Sequence, residues 1–356
     1  MVFNKIHIIR ILILNIIFFA LIADANARVE ITDFFSDFTS ADVTLNSSED
    51  MNGDAVFELF YAGNLVESHN VPFNIKANTV LTRVIIWEKK PTHDYYTVKI
   101  SIFDEGQLLA NKSYQISYGA VSLPGFHVVD FTSSNRGIQL LLSPFNPSVV
   151  DIRFELIEDN DIVFKETKDA VPLSIVTDIQ TTWPFLLSNN QRYSVRAKIF
   201  THRLNAQPLI NTYISDFIAK QEVEILRDDV QVDEYGASVT IRGKSQVPFD
   251  GFLVVKARNR ATNETQVFRA RMEEILVAGK EDTAGIVWKG LASGIYDVEI
   301  LAENLENVAL DKYETVLRIP ESSAGITSTP SKAAPGFEAF LLIIIIAFIW
   351  RSKGGL

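Results

Sequence analysis

The sequence predicts an all-β chain of three tandem β-sandwiches, flanked by an N-terminal signal helix and a C-terminal hydrophobic helix. Three observations carry that expectation. Similar segments recur at one spacing: VEITDFF from Val29, FHVVDFT from Phe126 and VEILRDD from Val223 start 97 residues apart in both intervals. Trp87, Trp183 and Trp288 each precede a tyrosine, Tyr96, Tyr193 and Tyr296, by eight to ten residues. Each tyrosine then opens an alternating run, YTVKISIF, YSVRAKIF or YDVEILAE, which is the pattern of a strand with one buried face.

The N-terminus comes first in the chain. Lys5 and Arg10 precede the apolar run Ile11 to Ile22, which ends in Ala23-Asp24-Ala25-Asn26-Ala27. A basic start, about a dozen apolar residues and a small-x-small site predict a secretory signal over residues 1–27, cleaved after Ala25 or Ala27. An uncleaved anchor is the alternative, but the run is short for a span.

The repeats are expected over 28–122, 123–221 and 222–319. Within each, a strand, a polar turn and a second strand read as a hairpin: AVFELFYAGNLVESHN, DIRFELIEDNDIVFKE and GFLVVKARNRATNETQVF. Val98, Val195 and Val298 share the tyrosine's face, whereas Lys99, Arg196 and Glu299 point away from it. Short alternating strands in units of about 100 residues fit an immunoglobulin-like sandwich. The segment Leu291-Ala292-Ser293-Gly294-Ile295-Tyr296-Asp297-Val298 resembles the L-x-x-G-x-Y-x-V corner of immunoglobulin-like and fibronectin-type modules. The first two repeats reach their tyrosines through different residues, so their corners are expected to differ. The six Trp and Tyr positions are expected as core anchors, in preference to a sugar-stacking platform. Short connections, Gly119 to Gly125 and Lys220 to Glu222, predict a stiff rod.

After Ile319, residues 320–334 are rich in Ser, Thr, Ala and Pro and read as a stalk. Residues 335–356 hold Pro335-Gly336-Phe337, the uncharged run Phe340 to Trp350, and Arg351 and Lys353. As a helix that run covers only about 16 Å of a roughly 30 Å hydrocarbon core. The basic tip orients the tail inward and leaves the repeats outside. This Ser/Thr/Pro stretch, Pro-Gly-Phe triplet, short aliphatic run and basic end resemble the PGF-CTERM sorting signal of archaeal surface proteins. The resemblance implies an archaeosortase-type processing enzyme as partner, and replacement of the helix by a prenyl-derived lipid. It covers about 25 residues and is silent on the activity of the rest. A tip of separated basic residues followed by Gly-Gly-Leu departs from the family's arginine cluster, and an ordinary single-span anchor is the alternative. The expected location is the cell surface, on the extracellular side of the cytoplasmic membrane.

With 33 Lys plus Arg against 44 Asp plus Glu, the net charge of −11 argues against a nucleic-acid surface. There is no cysteine, hence no disulfide framework or thiolate metal site, and stability must come from cores. That absence leans toward a prokaryotic exterior. His69, His93, His127 and His202 lie in separate contexts without metal-ligand spacing, and no nucleophile elbow, Walker loop or dinucleotide fingerprint is present. No enzyme, cofactor or metal is therefore expected. One calcium candidate arises where Asp50, Asn52 and Asp54 alternate in an acidic Gly-containing segment, although a plain polar turn explains the same residues. Asn46, Asn111 and Asn263 head N-glycosylation sequons, each expected at a turn or strand end. The resulting expectation is a non-catalytic envelope protein serving structure, spacing (an S-layer type of role) or adhesion, with the membrane and other envelope proteins as partners. The alternative is a receptor-like module that binds glycan or calcium through loops.

Overall fold

The computed structural model describes residues 28–92, 95–117, 123–203 and 205–320. The expected signal and tail helices, with Ala25, Ala27 and Pro335 to Phe337, lie outside these residues, as does His93. All described regular structure is β, apart from one short 3₁₀ turn, Arg227–Asp229. No helix among the described residues is long and apolar enough to cross a membrane.

The first repeat contains β1 (Val29–Ser36), β2 (Ser40–Ser47), β3 (Met51–Tyr61), β4 (Asn64–Ile75), β5 (Val80–Ile86), β6 (Tyr95–Asp104) and β7 (Gln107–Ser117). The second contains β8 (Phe126–Ser133), β9 (Gly137–Pro144), β10 (Ser148–Glu158), β11 (Asp161–Leu173), β12 (Thr177–Thr182), β13 (Arg192–Arg203) and β14 (Ala206–Ile218). In the third, the first strand is split into β15 (Val223–Ile225) and β16 (Gln231–Val232). There follow β17 (Gly236–Gly243), β18 (Gly251–Asn259), β19 (Thr265–Arg271), β20 (Glu281–Val287), β21 (Gly294–Asn304) and β22 (Ala309–Ile319).

Each repeat sets a sheet built on its first, second and fifth strands against a four-stranded sheet of the fourth, third, sixth and seventh. The fourth strand stays beside the third because a tight turn joins them. Ala62 and Gly63 in the first repeat, and Asp159 and Asn160 in the second, both have φ above zero, the requirement of a two-residue hairpin turn that keeps the strands together. The three predicted hairpins are present as β3–β4, β10–β11 and β18–β19.

The split first strand of the third repeat has a local cause. β1 bulges between Ile31 and Asp33, and β8 bulges 97 residues later, between Val128 and Asp130. At the corresponding place after Ile225 the chain gains the 3₁₀ turn, and both pieces still pair with β17. A bulge site already lacks regular ladder bonds, so extra residues enter there at small cost.

Inward residues of the two sheets fill one apolar cluster per repeat. On the sixth strands the alternation is visible directly: Tyr96, Val98, Ile100 and Ile102 are buried, as are Tyr193, Val195, Ala197 and Ile199, and Tyr296, Val298, Ile300 and Ala302.

Candidate functional site

The aromatic residues singled out in the sequence build the corners of the three cores. Trp87, Trp183, Trp288, Tyr96, Tyr193 and Tyr296 are all buried. Each indole N–H donates to the end of the first strand or the turn after it: Trp87 to Ser36 Oγ at 3.0 Å, Trp183 to the Ser134 carbonyl at 2.8 Å, Trp288 to the Asp233 carbonyl at 3.1 Å. Each tyrosine hydroxyl bonds to backbone just upstream, and the corners do differ. Tyr96 and Tyr193 accept from the N–H groups of Thr92 and Ser188, whereas Tyr296 donates to the Ala292 carbonyl at 2.9 Å. Buried rings whose polar ends are satisfied offer no exposed platform for sugar stacking.

The calcium candidate runs into a strand and is not a turn. Asn52 and Asp54 lie on strand β3. Alternate residues of a strand share one face, so Asn52 and Asp54 stand on the same side of the sheet. Asp50 is engaged elsewhere, accepting from the Ala77 N–H at 2.8 Å and pairing with Lys76 at 3.0 Å. Those two bonds hold its carboxyl below the usual range. Asn52 accepts from the Asn74 amide. No group of three or more His or acidic residues is arranged to hold a metal among the described residues. His69 and His202 each face a single carboxylate, Glu67 at 2.6 Å and Asp151 at 2.9 Å.

The sequon asparagines are all exposed, but only Asn263 sits in a turn, with φ of 60°. Asn46 is one residue from the end of β2, and Asn111 lies within β7 opposite Ser101, so the expectation of a turn or strand end fails for Asn111. The reason is length: β7 runs through its sequon because its ladder to β6 continues to Ser117.

Chemistry that the sequence does not reveal gathers where the first two repeats meet. On β2, Ala41, Val43 and Leu45 face the core, so Ser40 and Asp42 face outward. On β10 and β13, Glu155, Arg196 and Lys198 likewise face outward, away from the second core. Yet Arg196 is 0%, Glu155 2%, Lys198 3% and Asp42 4% exposed, because the two outer faces cover one another. Arg196 Nη1 donates to Asp42 Oδ2 at 2.8 Å and Arg196 Nε to Glu155 Oε2 at 2.6 Å. Lys198 Nζ reaches the same Asp42 oxygen at 2.9 Å and lies 3.9 Å from the centroid of the Phe35 ring. Two cations and two anions thus neutralise one another out of water, which is the condition for burying charge at all.

The rim of this joint is hydrogen bonded. Asp37 accepts from the Thr39 and Ser40 N–H groups of its own turn and from the Thr212 N–H at 2.7 Å across the joint, while Thr212 Oγ1 meets Ser40 Oγ at 3.0 Å. Val84 and Asn160 exchange bonds at 3.0 and 2.8 Å, and Arg83 pairs with Asp161, which brings the edges of β5 and β11 together. Burial raises the Asp37 carboxyl above its ordinary range against the pull of those three N–H groups and of the Thr212 hydroxyl, which also donates to it at 2.8 Å. Desolvation also draws Lys198 down, opposed by Asp42. Arg196 suffers the same desolvation, but the charges of Asp42 and Glu155 outweigh it and hold the guanidinium above its ordinary value.

The second joint is end to end and mainly packed. Val247, in the loop between β17 and β18, is 1% exposed and belongs to the core of the second repeat, beside Leu187 and Ala219. Backbone bonds flank it: Leu187 N–H to the Gln246 carbonyl and Gln246 N–H to the Asn135 carbonyl, both 3.0 Å. Asn135 also donates to Glu222 at 2.6 Å, and Arg136 Nε to the Lys244 carbonyl at 2.6 Å. The end-to-end rod expected from short linkers therefore describes the second joint. At the first, repeats pack outer face to outer face, because Asp42 and Ser40 give the first repeat a partner for Arg196 and Lys198 that no linker length reveals.

No protein-family model matches the chain, and no curated protein does. Among solved structures, a tetra-tandem repeat from the extending region of a large adhesion protein is similar over 81% of this chain and 73% of its own, at 14% identity and a TM-score of 0.25. A red sea bream transglutaminase is similar over 56% of this chain and 32% of its own, at 8% identity and a TM-score of 0.28. The native conformation of E. coli alpha-2-macroglobulin is similar over 83% and 22%, at 10% identity and a TM-score of 0.21. Superpositions this loose carry no argument about what the chain does.

Proposed function

We propose that the chain is a non-catalytic archaeal cell-surface protein whose three immunoglobulin-like, fibronectin-type sandwiches act as a stiff envelope spacer or adhesion component. It is exported by the segment 1–27 and held at the outer side of the cytoplasmic membrane by its C-terminus, as a helix or as an attached lipid. The observation that carries this reading is the pair of closed joints. A spacer must transmit position from one end to the other, and buried ion pairs at one joint with an inserted Val247 at the other resist bending between repeats. The charged groups at the first joint bond to each other, so they are occupied in holding repeats together. The lack of cysteine and the Pro335-Gly336-Phe337 triplet support the surface address.

Mass spectrometry of the protein from its native membrane tests the address. The expected result is a chain beginning at Asn26 or Arg28 and ending in or after the 320–334 stalk with added lipid mass, or an intact tail retained in the membrane. A full-length chain recovered from the cytosol with its first 27 residues attached contradicts the proposal.

A further inference from the structure

The third and sixth strands of every repeat carry one ionic pair at the same place on the outer face of the four-stranded sheet. Glu58 stands opposite Lys99, Glu155 opposite Arg196 and Lys256 opposite Glu299, with contacts of 3.0, 2.6 and 3.3 Å. The three faces differ in what surrounds the pair. In the second repeat the first repeat covers it and supplies Asp42. In the third, the face is laced with further charge: Arg258 pairs with Asp297 at 2.9 Å, and Lys312 bridges Glu299 and Glu314 at 3.1 and 2.6 Å. Such a face is already satisfied in water.

The first repeat's face is different. The outward positions next to Glu58 and Lys99 on β3, β6 and β7 are Val56, Phe60, Thr97, Ser101, Ser113 and Gln115, all uncharged, and the next outward residue of β3 beyond Val56 is Asp54. The ionic pair itself is partly open to solvent, with side-chain exposures of 20% for Glu58 and 41% for Lys99.

We propose that this face docks on the same face of a second copy of the chain. A positive and a negative charge side by side on adjacent strands are self-complementary. A two-fold axis between β3 and β6, parallel to the strands, sets Glu58 of one copy over Lys99 of the other, and the reverse. The further outward charge on β3, Asp54, lies about 14 Å along the strand from Glu58 and falls over Phe103 of the other copy, so it meets no like charge. The chain already buries the equivalent face of the second repeat, there against the outer side of the sheet that holds β2. Four strands spaced about 4.8 Å apart and roughly 24 Å long give about 450 Å² a side, the small end of specific interfaces, so the dimer is a weak one that gains from confinement on a surface. This inference does not depend on how the chain is anchored. Asn111 lies on the same face, opposite Ser101, so a glycan there and the dimer exclude each other.

Sedimentation equilibrium of the unglycosylated chain, followed to millimolar concentration, tests it. The wild type is expected to dimerise, and to do so less as salt rises. Lys99→Glu and Glu58→Lys are each expected to be monomeric, since each places like charges across the axis. Mixing the two variants restores a dimer, because all four contacts are then opposite in sign. Folding defects are separated by circular dichroism of each variant, and restored pairing in the mixture shows that both faces are intact. A wild type that stays monomeric, variants that dimerise as well as it does, or a mixture that does not associate overturns the proposal.

Discussion

Asp42 is the residue on which the first joint turns. Its one oxygen, Oδ2, receives both Arg196 and Lys198, so truncation strands two buried cations rather than one. Removing one partner of a buried ion pair costs about 3–5 kcal/mol, and Asp42→Ala is expected to destabilise the first two repeats by that order in urea unfolding. Adding Lys198→Met is expected to recover part of the loss, because it withdraws the unpaired charge and leaves an apolar stem against Phe35. Failure of the second change to help would mean that the ammonium is hydrated and not enclosed. Asp37 gives a pH signature of opposite kind to an ordinary carboxylate. Burial raises its folded value above 3.8, so the folded chain keeps this proton to higher pH than the unfolded chain does. Its contribution to stability is fully present below the ordinary value and is lost as pH rises through the raised one. Compared with Asp37→Asn, the wild type is therefore expected to lose stability as pH rises above the ordinary carboxylate range; thermal melts of the two proteins over that rise check it, and parallel curves would contradict it.

At the scale of single elements, the loop between β17 and β18 does for the second joint what the ion cluster does for the first. Val247 sits inside the neighbouring core, so Val247→Asp places a carboxylate among Leu187 and Ala219, at a cost of roughly 3 kcal/mol or more if the loop stays inserted. The cheaper outcome is withdrawal of the loop. Limited proteolysis is expected to cut the variant near Lys220 and Lys244 while both flanking sandwiches survive, whereas the wild type resists; equal resistance would count against the insertion. The elements themselves were readable in advance. Hairpins announced themselves through polar turns between alternating runs, and the Trp and Tyr anchors through their recurrence, since both signals are local. The joints were not readable for the same physical reason. Arg196 and Lys198 alternate with core residues and so look like any solvated strand face, and only a facing sheet more than 150 residues away in sequence tells them apart from Lys99. The acidic run at Asp50 misleads in another way: residues that read as a polar turn run straight into a strand, and Asp50 is taken up by Ala77 and Lys76.

For the molecule as a whole, two unlike joints give three repeats a fixed mutual arrangement. The first joint is a face-to-face contact, and the inserted loop at the second fixes the third repeat to the second. With both joints closed, the three repeats are expected to move as one rigid body in solution. The chain contains no cysteine, so two introduced thiols are unique label sites. Spin labels at Glu30→Cys on β1 and Gln266→Cys on β19, both exposed, report the separation of the outer repeats by pulsed dipolar spectroscopy. A single narrow distance distribution, broadened by Asp42→Ala and by Val247→Asp, is the predicted result. A broad distribution in the otherwise unaltered chain would contradict the account.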